Sequence, residues 1–437
     1  MNALLHAPPV SAGSRAEHVA SYYAATATPT AGFAALAGDL EADVCVIGGG
    51  IAGCSTALHL AERGYRVVLL EAKRVGWGAS GRNGGQAIFG ISCGQEKIER
   101  YLGKGDARTA FDVTVEGVKL LRSRIARHAI ACDWRPGIFQ AALKPRQLRE
   151  LAADVEALAA LGYCSPRFVE RDELATMLAS ERYLGGLYDP ESGHLHPLNY
   201  TLGLATAAVA SGVRLFEGSA VLSYQQAAKV TVRTAQGSVK ADHVVICANA
   251  YVNGLARALD SRIMPVLTYI VATQKLGDER ARALIPNDMA VADVNNILDY
   301  FRLSADGRML FGGRVSYSGY DPLNTESATR ARMLRVFPQL ADAKIEFSWG
   351  GFVDITLNRA PHFGRLAPNV YFLQGFSGHG VVLTGIAGKL VAEAIAGTAE
   401  RFDIFARIPH TGFPGGALLR RPALVLGMLY YRLRDLL

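Results

Sequence analysis

Gly48, Gly50, Gly53 and Glu71 are spaced to hold the pyrophosphate and one ribose of a dinucleotide. The glycines form G-x-G-x-x-G directly after the apolar run Asp43-Val-Cys-Val-Ile. Gly48 permits the sharp turn, Gly50 lets the backbone approach a pyrophosphate, and Gly53 lets the following helix pack close to the strand. The N–H groups that open this helix, at Ile51 and Ala52, would face the phosphate charge. A second apolar run, Arg66-Val-Val-Leu-Leu70, ends at Glu71 and Ala72, where a carboxylate can accept hydrogen bonds from a ribose hydroxyl. Strand, turn, helix, strand and acid follow in the required order. The pattern leaves FAD and NAD both open.

Two further segments carry chemistry. Ser80, Asn83, Gly84, Gly85 and Gln86 lie just beyond the Glu71 strand. A loop this rich in glycine and short amide or hydroxyl side chains suits a backbone running close to a ligand. Near the C-terminus, Gly378, His379, Gly380 and Val381 form a strand-to-helix turn, a second helix start that favours negative charge. A reduced flavin carries its extra charge near the N1–C2=O edge, so such a dipole would favour reduction. A simple NAD-linked Rossmann dehydrogenase needs neither segment. No Ser-His-Asp or metal-ligand spacing is present, and the six cysteines, without C-x-x-C, read as buried reduced thiols.

The elements that must position these residues are interleaved. Residues 1–40, rich in Ala, Ser, Thr and Pro, are expected to wrap the surface or fray. Residues 95–161 are mostly helical in pattern, and a β-rich stretch ends in a buried strand at 241–247, placing Ala248 at a site-lining turn. The expected class is α/β: a discontinuous dinucleotide-binding domain from 42–90, 185–260 and 345–400, with a substrate domain inserted at 91–184 and 261–344. Residues 1–41 and 401–437 are extensions.

Further motifs add a resemblance: Ser21-Tyr-Tyr-Ala-Ala, Gly76-Trp-Gly-Ala-Ser-Gly-Arg-Asn-Gly-Gly-Gln86, Ser192-Gly-His-Leu-His-Pro-Leu-Asn199, Leu298-Asp-Tyr-Phe-Arg302-Leu, Gly375-Phe-Ser-Gly-His-Gly380 and Pro409-His-Thr-Gly-Phe-Pro-Gly-Gly416. With these the chain resembles, nearly end to end, the D-amino-acid-oxidase-like FAD-dependent amine oxidoreductases, and within them the γ-glutamylputrescine oxidase branch. That branch also includes oxidases of other polyamine derivatives and of L-pipecolate. The resemblance implies a Rossmann-like FAD-binding domain of the D-amino-acid-oxidase type, with an inserted antiparallel sheet and helices for substrate. It implies non-covalent FAD, with Gly48, Gly50 and Gly53 at the pyrophosphate, Glu71 on the ribose and the Val221 backbone at the adenine. Ser80, Asn83, Gly85 and Gln86 would line pyrophosphate and flavin; Gly378, His379 and Gly380 would face the isoalloxazine. The segment Trp349-Gly-Gly-Phe-Val-Asp354-Ile-Thr356-Leu-Asn358-Arg-Ala-Pro361 resembles an element that approaches the flavin, with Asn358 where an acid is common. The chemistry implied is oxidation of a neutral amine by hydride transfer to flavin N5, O2 or a quinone taking the electrons.

From the inserted region, Tyr269, Tyr300, Arg302 and Arg314 are substrate-site candidates, since aromatic walls steer an apolar amine and Arg grips a carboxylate bidentately. Tyr269, Tyr300 and Arg302 form, with His379, the expected catalytic set. The formal charge of +7 over 437 residues is scattered, so no nucleic-acid partner is expected, which weighs against a tRNA-modifying role. Neither a secretory signal nor a membrane-spanning run is read, which points to the cytoplasm. At 418–437 an apolar run flanked by arginines could lie on the inner membrane face or pack on the protein.

Overall fold

A computed structural model describes residues 17–252, 254–315 and 324–414, together with 422 and 425–427. Two sheets divide the chain. The first is built on Gly38–Ile47, whose β-branched run Val44, Val46 and Ile47 is buried on both faces, as a central parallel strand requires. It pairs in parallel with Val67–Leu70 on one side and Gly237–Ile246 on the other. Arg214–Phe216 extends one edge in parallel, and Val370–Gln374 the other. His362–Ala367 closes that edge antiparallel, while Ser223–Gln225 and Val230–Arg233 form a meander against Gly237–Ile246.

Two apolar helices lie on this sheet. Ile51–Ala61 follows the first glycine turn and is buried along nearly its whole length; Gly380–Ile395 packs against it. The contact is close because Gly388 carries no side chain: a Cβ there would lie 2.6 Å from the Thr56 backbone nitrogen. Ser55 Oγ donates to the Gly385 carbonyl across the same contact at 2.7 Å. Lys104–Arg127 and Pro197–Ala210 complete the layer.

The second sheet has nine strands, in the order Ile345–Ile355, Met264–Thr273, Met309–Val315, Tyr300–Leu303, Ala290–Asp293, Arg135–Ala142, Gly185–His194, Gln86–Ala87, with Arg167–Glu170 beside Gly185–His194. All neighbours are antiparallel except Ala290–Asp293 with Arg135–Ala142. The expected α/β class with a second sheet of mainly antiparallel strands therefore holds. Gly185–His194 and Ile345–Ile355, expected in the nucleotide domain, pair instead in the second sheet. Local pattern marks a strand but not its distant partner.

The N-terminal segment also differs from expectation. Ser21 caps a short helix, Tyr22–Ala25, its Oγ accepting from Ala24 N–H at 3.1 Å, and Tyr22 and Tyr23 are buried rather than frayed. The Tyr23 ring packs edge-on to His196 and Trp349. Of the cysteines, Cys45, Cys54, Cys132 and Cys247 are buried; Cys93 is half-buried and Cys164 exposed, and all six are free. Among the described residues no single helix is long and apolar enough to cross a membrane. The expected surface helix at 418–437 lies almost wholly outside the described residues.

Candidate active site

The carboxyl ends of the parallel strands open onto a cavity of about 510 Å³, where open α/β sheets bind ligands. The first turn supplies Gly48, Gly50, Ile51 and Ala52 to its wall. Gly48 has φ +110°, and a Cβ on it would sit 2.6 Å from the Cys247 carbonyl oxygen of the neighbouring strand. On Gly53 the Cβ would lie 1.8 Å from the Gly48 carbonyl oxygen, so only glycine lets the helix start this close. Gly53 thus shapes the turn from behind rather than lining the cavity. Gly50 has a neighbour the sequence did not reveal: a Cβ there would meet Ser80 Oγ at 2.8 Å. Ser80 Oγ accepts from the Ile51 N–H at 2.9 Å and so locks the second glycine loop onto the first.

Glu71 and Ala72 line the next stretch. Glu71 accepts the Gly49 N–H at 2.7 Å and the Lys73 N–H at 2.8 Å. Burial lifts its carboxyl above the ordinary carboxylate range, and these N–H donors pull it partly back. Val221 and Ala248 lie on the same wall, with Ser219 and Lys73 beside them.

The loop after Glu71 divides its work. Ser80 and Asn83 face the cavity, whereas Gly84, Gly85 and Gln86 do not line it. Asn83 spends its amide on its own loop, donating to the Ala79 carbonyl at 2.9 Å and accepting the Gly85 N–H at 2.8 Å. Gly85, at φ +75°, and Gly84 admit neighbours: a Cβ on Gly85 would lie 2.2 Å from the Leu195 carbonyl oxygen, one on Gly84 2.7 Å from the Tyr300 ring. Gln86 joins the second sheet and donates to the Val291 carbonyl at 2.9 Å.

At the opposite end, Gly378, Gly380, Val381 and Thr384 present the start of the helix Gly380–Ile395 to the cavity. His379 is half-buried at its N-cap, and desolvation, assisted by Arg359, depresses its imidazole to about 4, so it is neutral at pH 7. Val353, Asp354, Asn249, Trp77 and Tyr251 complete this end. Asp354 and Asn249 escaped the sequence reading as site residues, although Asp354 lies inside the motif quoted for the segment at 349–361. Asn358 of the same segment faces away, donating to the Pro409 carbonyl at 2.7 Å.

The candidates from the inserted region sit elsewhere. Tyr269, Tyr300 and Arg302 do not line the cavity. Tyr269 is buried in the second sheet, its ring against Gly350. The Tyr300 ring fills the space left by Gly84 and Gly312. Arg302, 3% exposed, donates to the carbonyls of Gly84, Leu195 and Leu303 and to the Tyr23 hydroxyl, at 2.8 to 3.1 Å. The Arg314 side chain lies outside the described residues.

Glycine turns whose backbone forms the cavity floor, a carboxylate at the second strand's end and two helix starts suit an extended dinucleotide with anionic centre. The model of a family described as FAD-dependent oxidoreductase matches residues 43–394. The chain belongs to the DAO family of FAD-dependent oxidoreductases. It is 44% identical over 420 residues to the γ-glutamylputrescine oxidoreductase of Escherichia coli K12, covering 96% of this chain and 99% of that protein. The probable oxidoreductase OrdL of Haemophilus influenzae is 42% identical over 425 residues, covering 96% and 98%. The crystal structure of glycine oxidase from Geobacillus kaustophilus superposes with a TM-score of 0.69 at 21% identity, over 82% of this chain and 95% of that one. This last likeness shows the fold. As a DAO-family member the chain is an FAD-dependent oxidoreductase, and the residues lining its cavity fit that cofactor.

Proposed function

We propose that this enzyme oxidises the primary amine of γ-glutamylputrescine or a closely related polyamine derivative. What supports the reading is the 44% identity to an enzyme of that name, sustained over almost the full length of both chains. Oxidation would remove a hydride from the carbon bearing the neutral amine, for which FAD when bound supplies the acceptor, and water would hydrolyse the resulting protonated imine to an aldehyde and ammonium. The chain's own work is to bind and orient. The glycine turn at 48–50 and the Ile51 helix start would hold the pyrophosphate, and Glu71 would hold the ribose. His379, neutral at pH 7, brings no cationic charge to the helix start at Gly380.

Anaerobic mixing of the purified holoenzyme with γ-glutamylputrescine, putrescine, L-pipecolate, L-proline and sarcosine tests this directly. Oxidised-flavin absorbance is expected to bleach fastest with γ-glutamylputrescine. Faster bleaching by L-pipecolate, an alternative the comparisons do not support, would overturn the substrate assignment. Re-oxidation by O2 or by a soluble quinone then identifies the acceptor. The cavity offers no thiol with a raised tendency to ionise: burial pushes the Cys247 thiol upward, to about 12. Non-covalent FAD is therefore expected, and acid precipitation should release the yellow colour into the supernatant. Flavin retained in the pellet would show a covalent bond.

A further inference from the structure

One buried carboxylate joins three segments at the end of the cavity where the helix Gly380–Ile395 begins. Asp354, 3% exposed, belongs to the strand Ile345–Ile355 of the second sheet. Its Oδ2 accepts the Gly375 N–H, and its main-chain carbonyl accepts the Ser377 N–H at 3.0 Å. The Asn249 amide lies against the same carboxylate; assigned with its nitrogen toward Asp354, as the surrounding donors and acceptors require, it donates to Oδ1 at 2.9 Å while its oxygen accepts the Ala250 N–H at 3.2 Å. Gly375 and Ser377 follow the parallel strand Val370–Gln374, and Asn249 follows Gly237–Ile246. The second sheet thereby holds the ends of two strands of the first.

These turns need holding. Asn249 has φ +50°, Ser377 φ +50° and Gly375 φ +76°. Two side-chain-bearing residues in the left-handed region persist only where the surroundings fix them. Thr356, two residues from Asp354, adds to the fixation: its N–H donates to Ser377 Oγ at 3.3 Å and its own hydroxyl donates to the Ala360 carbonyl at 2.7 Å. Asp354 and Asn249 both reach the cavity surface, as do Gly378 and Gly380 just beyond the clamped turn.

We propose that Asp354 is a positioning residue for the cofactor: it clamps both turns that shape this end of the cavity and sets there a negative charge that restrains flavin reduction. The proposal rests on the reading that this cavity holds FAD with its flavin end at Gly378 and Gly380. The groups that meet Asp354 are uncharged: the Asn249 amide on one turn, and the Gly375, Phe376 and Ser377 N–H groups on the other. Among the described residues no cation pairs with it. Burial consequently raises its carboxyl to about 7, against the pull of the Gly375 and Phe376 N–H groups. The sign follows. Below pH 7 the group is mostly neutral; above it the carboxylate opposes the negative charge that reduction adds.

Asp354→Asn and Asp354→Ala separate the two roles, read by FAD titration of the apoprotein and by the midpoint potential of the holoenzyme at pH 6 and pH 8.5. Asn keeps an acceptor for Gly375 N–H, and Asn249 can turn its amide to suit, so FAD affinity should stay within threefold of wild type. Its potential should rise at pH 8.5 by a tenfold shift in the reduced-to-oxidised ratio, about 30 mV for a two-electron couple, and stay unchanged at pH 6. Ala removes the clamp and should weaken FAD binding at least tenfold. A D354N potential equal to wild type at both pH values would overturn the charge role. Wild-type FAD affinity in D354A would overturn the clamp. A wild-type apoprotein that takes up no FAD would overturn the cofactor reading itself, an outcome distinct from either.

Discussion

Gly53→Ala is expected to give a protein that fails to hold FAD and has lost at least 3 kcal/mol or so of stability. The added Cβ would lie 1.8 Å from the Gly48 carbonyl oxygen, 3.0 Å from its carbon and 3.4 Å from Val46 Cγ1. Two of these neighbours are backbone, so no side-chain rotation relieves the overlap. Nor can the helix Ile51–Ala61 retreat. Its far side is packed against Gly380–Ile395, where Gly388 already brings the two backbones as close as they can come. The turn at 48–50 must therefore open, and with it the N–H groups at Gly49 and Ile51 lose Glu71 and Ser80. Urea unfolding of the apoprotein and FAD titration measure the two effects. Gly105→Ala, at an exposed helical position with open space around its Cβ, is the control and should be neutral or slightly stabilising. Wild-type FAD affinity in G53A would mean that the helix can move after all.

The features that could be read from the sequence share a physical property: their causes are local. The first βαβ unit, the buried strand before Ala248 and the apolar helix after Gly380 declare themselves by the period of their own apolar residues and by adjacent glycines. The residues facing the cavity from those turns follow directly, because a turn between a parallel strand and a helix places its backbone there. What could not be read has distant causes. Tyr23 sits in a segment whose composition suggests fraying, yet its hydroxyl meets Arg302, 279 residues away. Asp354 looks like an alternating polar strand position until Gly375 and Asn249 arrive from another sheet. Asn83 offers an amide that a ligand could use, but its own loop takes it. Gln86 resembles a loop residue and proves to be an edge strand, since its partner His194 lies far along the chain.

Arg302 is the residue on which local reading and tertiary structure diverge most, and its replacement has the second large expected effect. Sequence reasoning places it at a substrate carboxylate, a role that predicts a raised KM in Arg302→Met with stability retained. Its surroundings favour a different outcome. The guanidinium is buried, makes four hydrogen bonds to neutral oxygens, and among the described residues has no carboxylate partner. Methionine fills much the same volume but leaves the Gly84 and Leu195 carbonyls and the Tyr23 hydroxyl without that donor. Unsatisfied buried acceptors cost about 1–3 kcal/mol each, so the variant should lose about 3–5 kcal/mol in chemical denaturation. Lysine should recover only part of this, because one ammonium cannot reproduce the planar fork that spans the loop at Gly84 and the chain at Leu195. Both contacts lie at the junction of the second glycine loop with the second sheet. R302M should therefore also release FAD more readily, through a loosened loop rather than a lost ligand contact. A variant as stable as wild type, with only KM altered, would return Arg302 to the substrate.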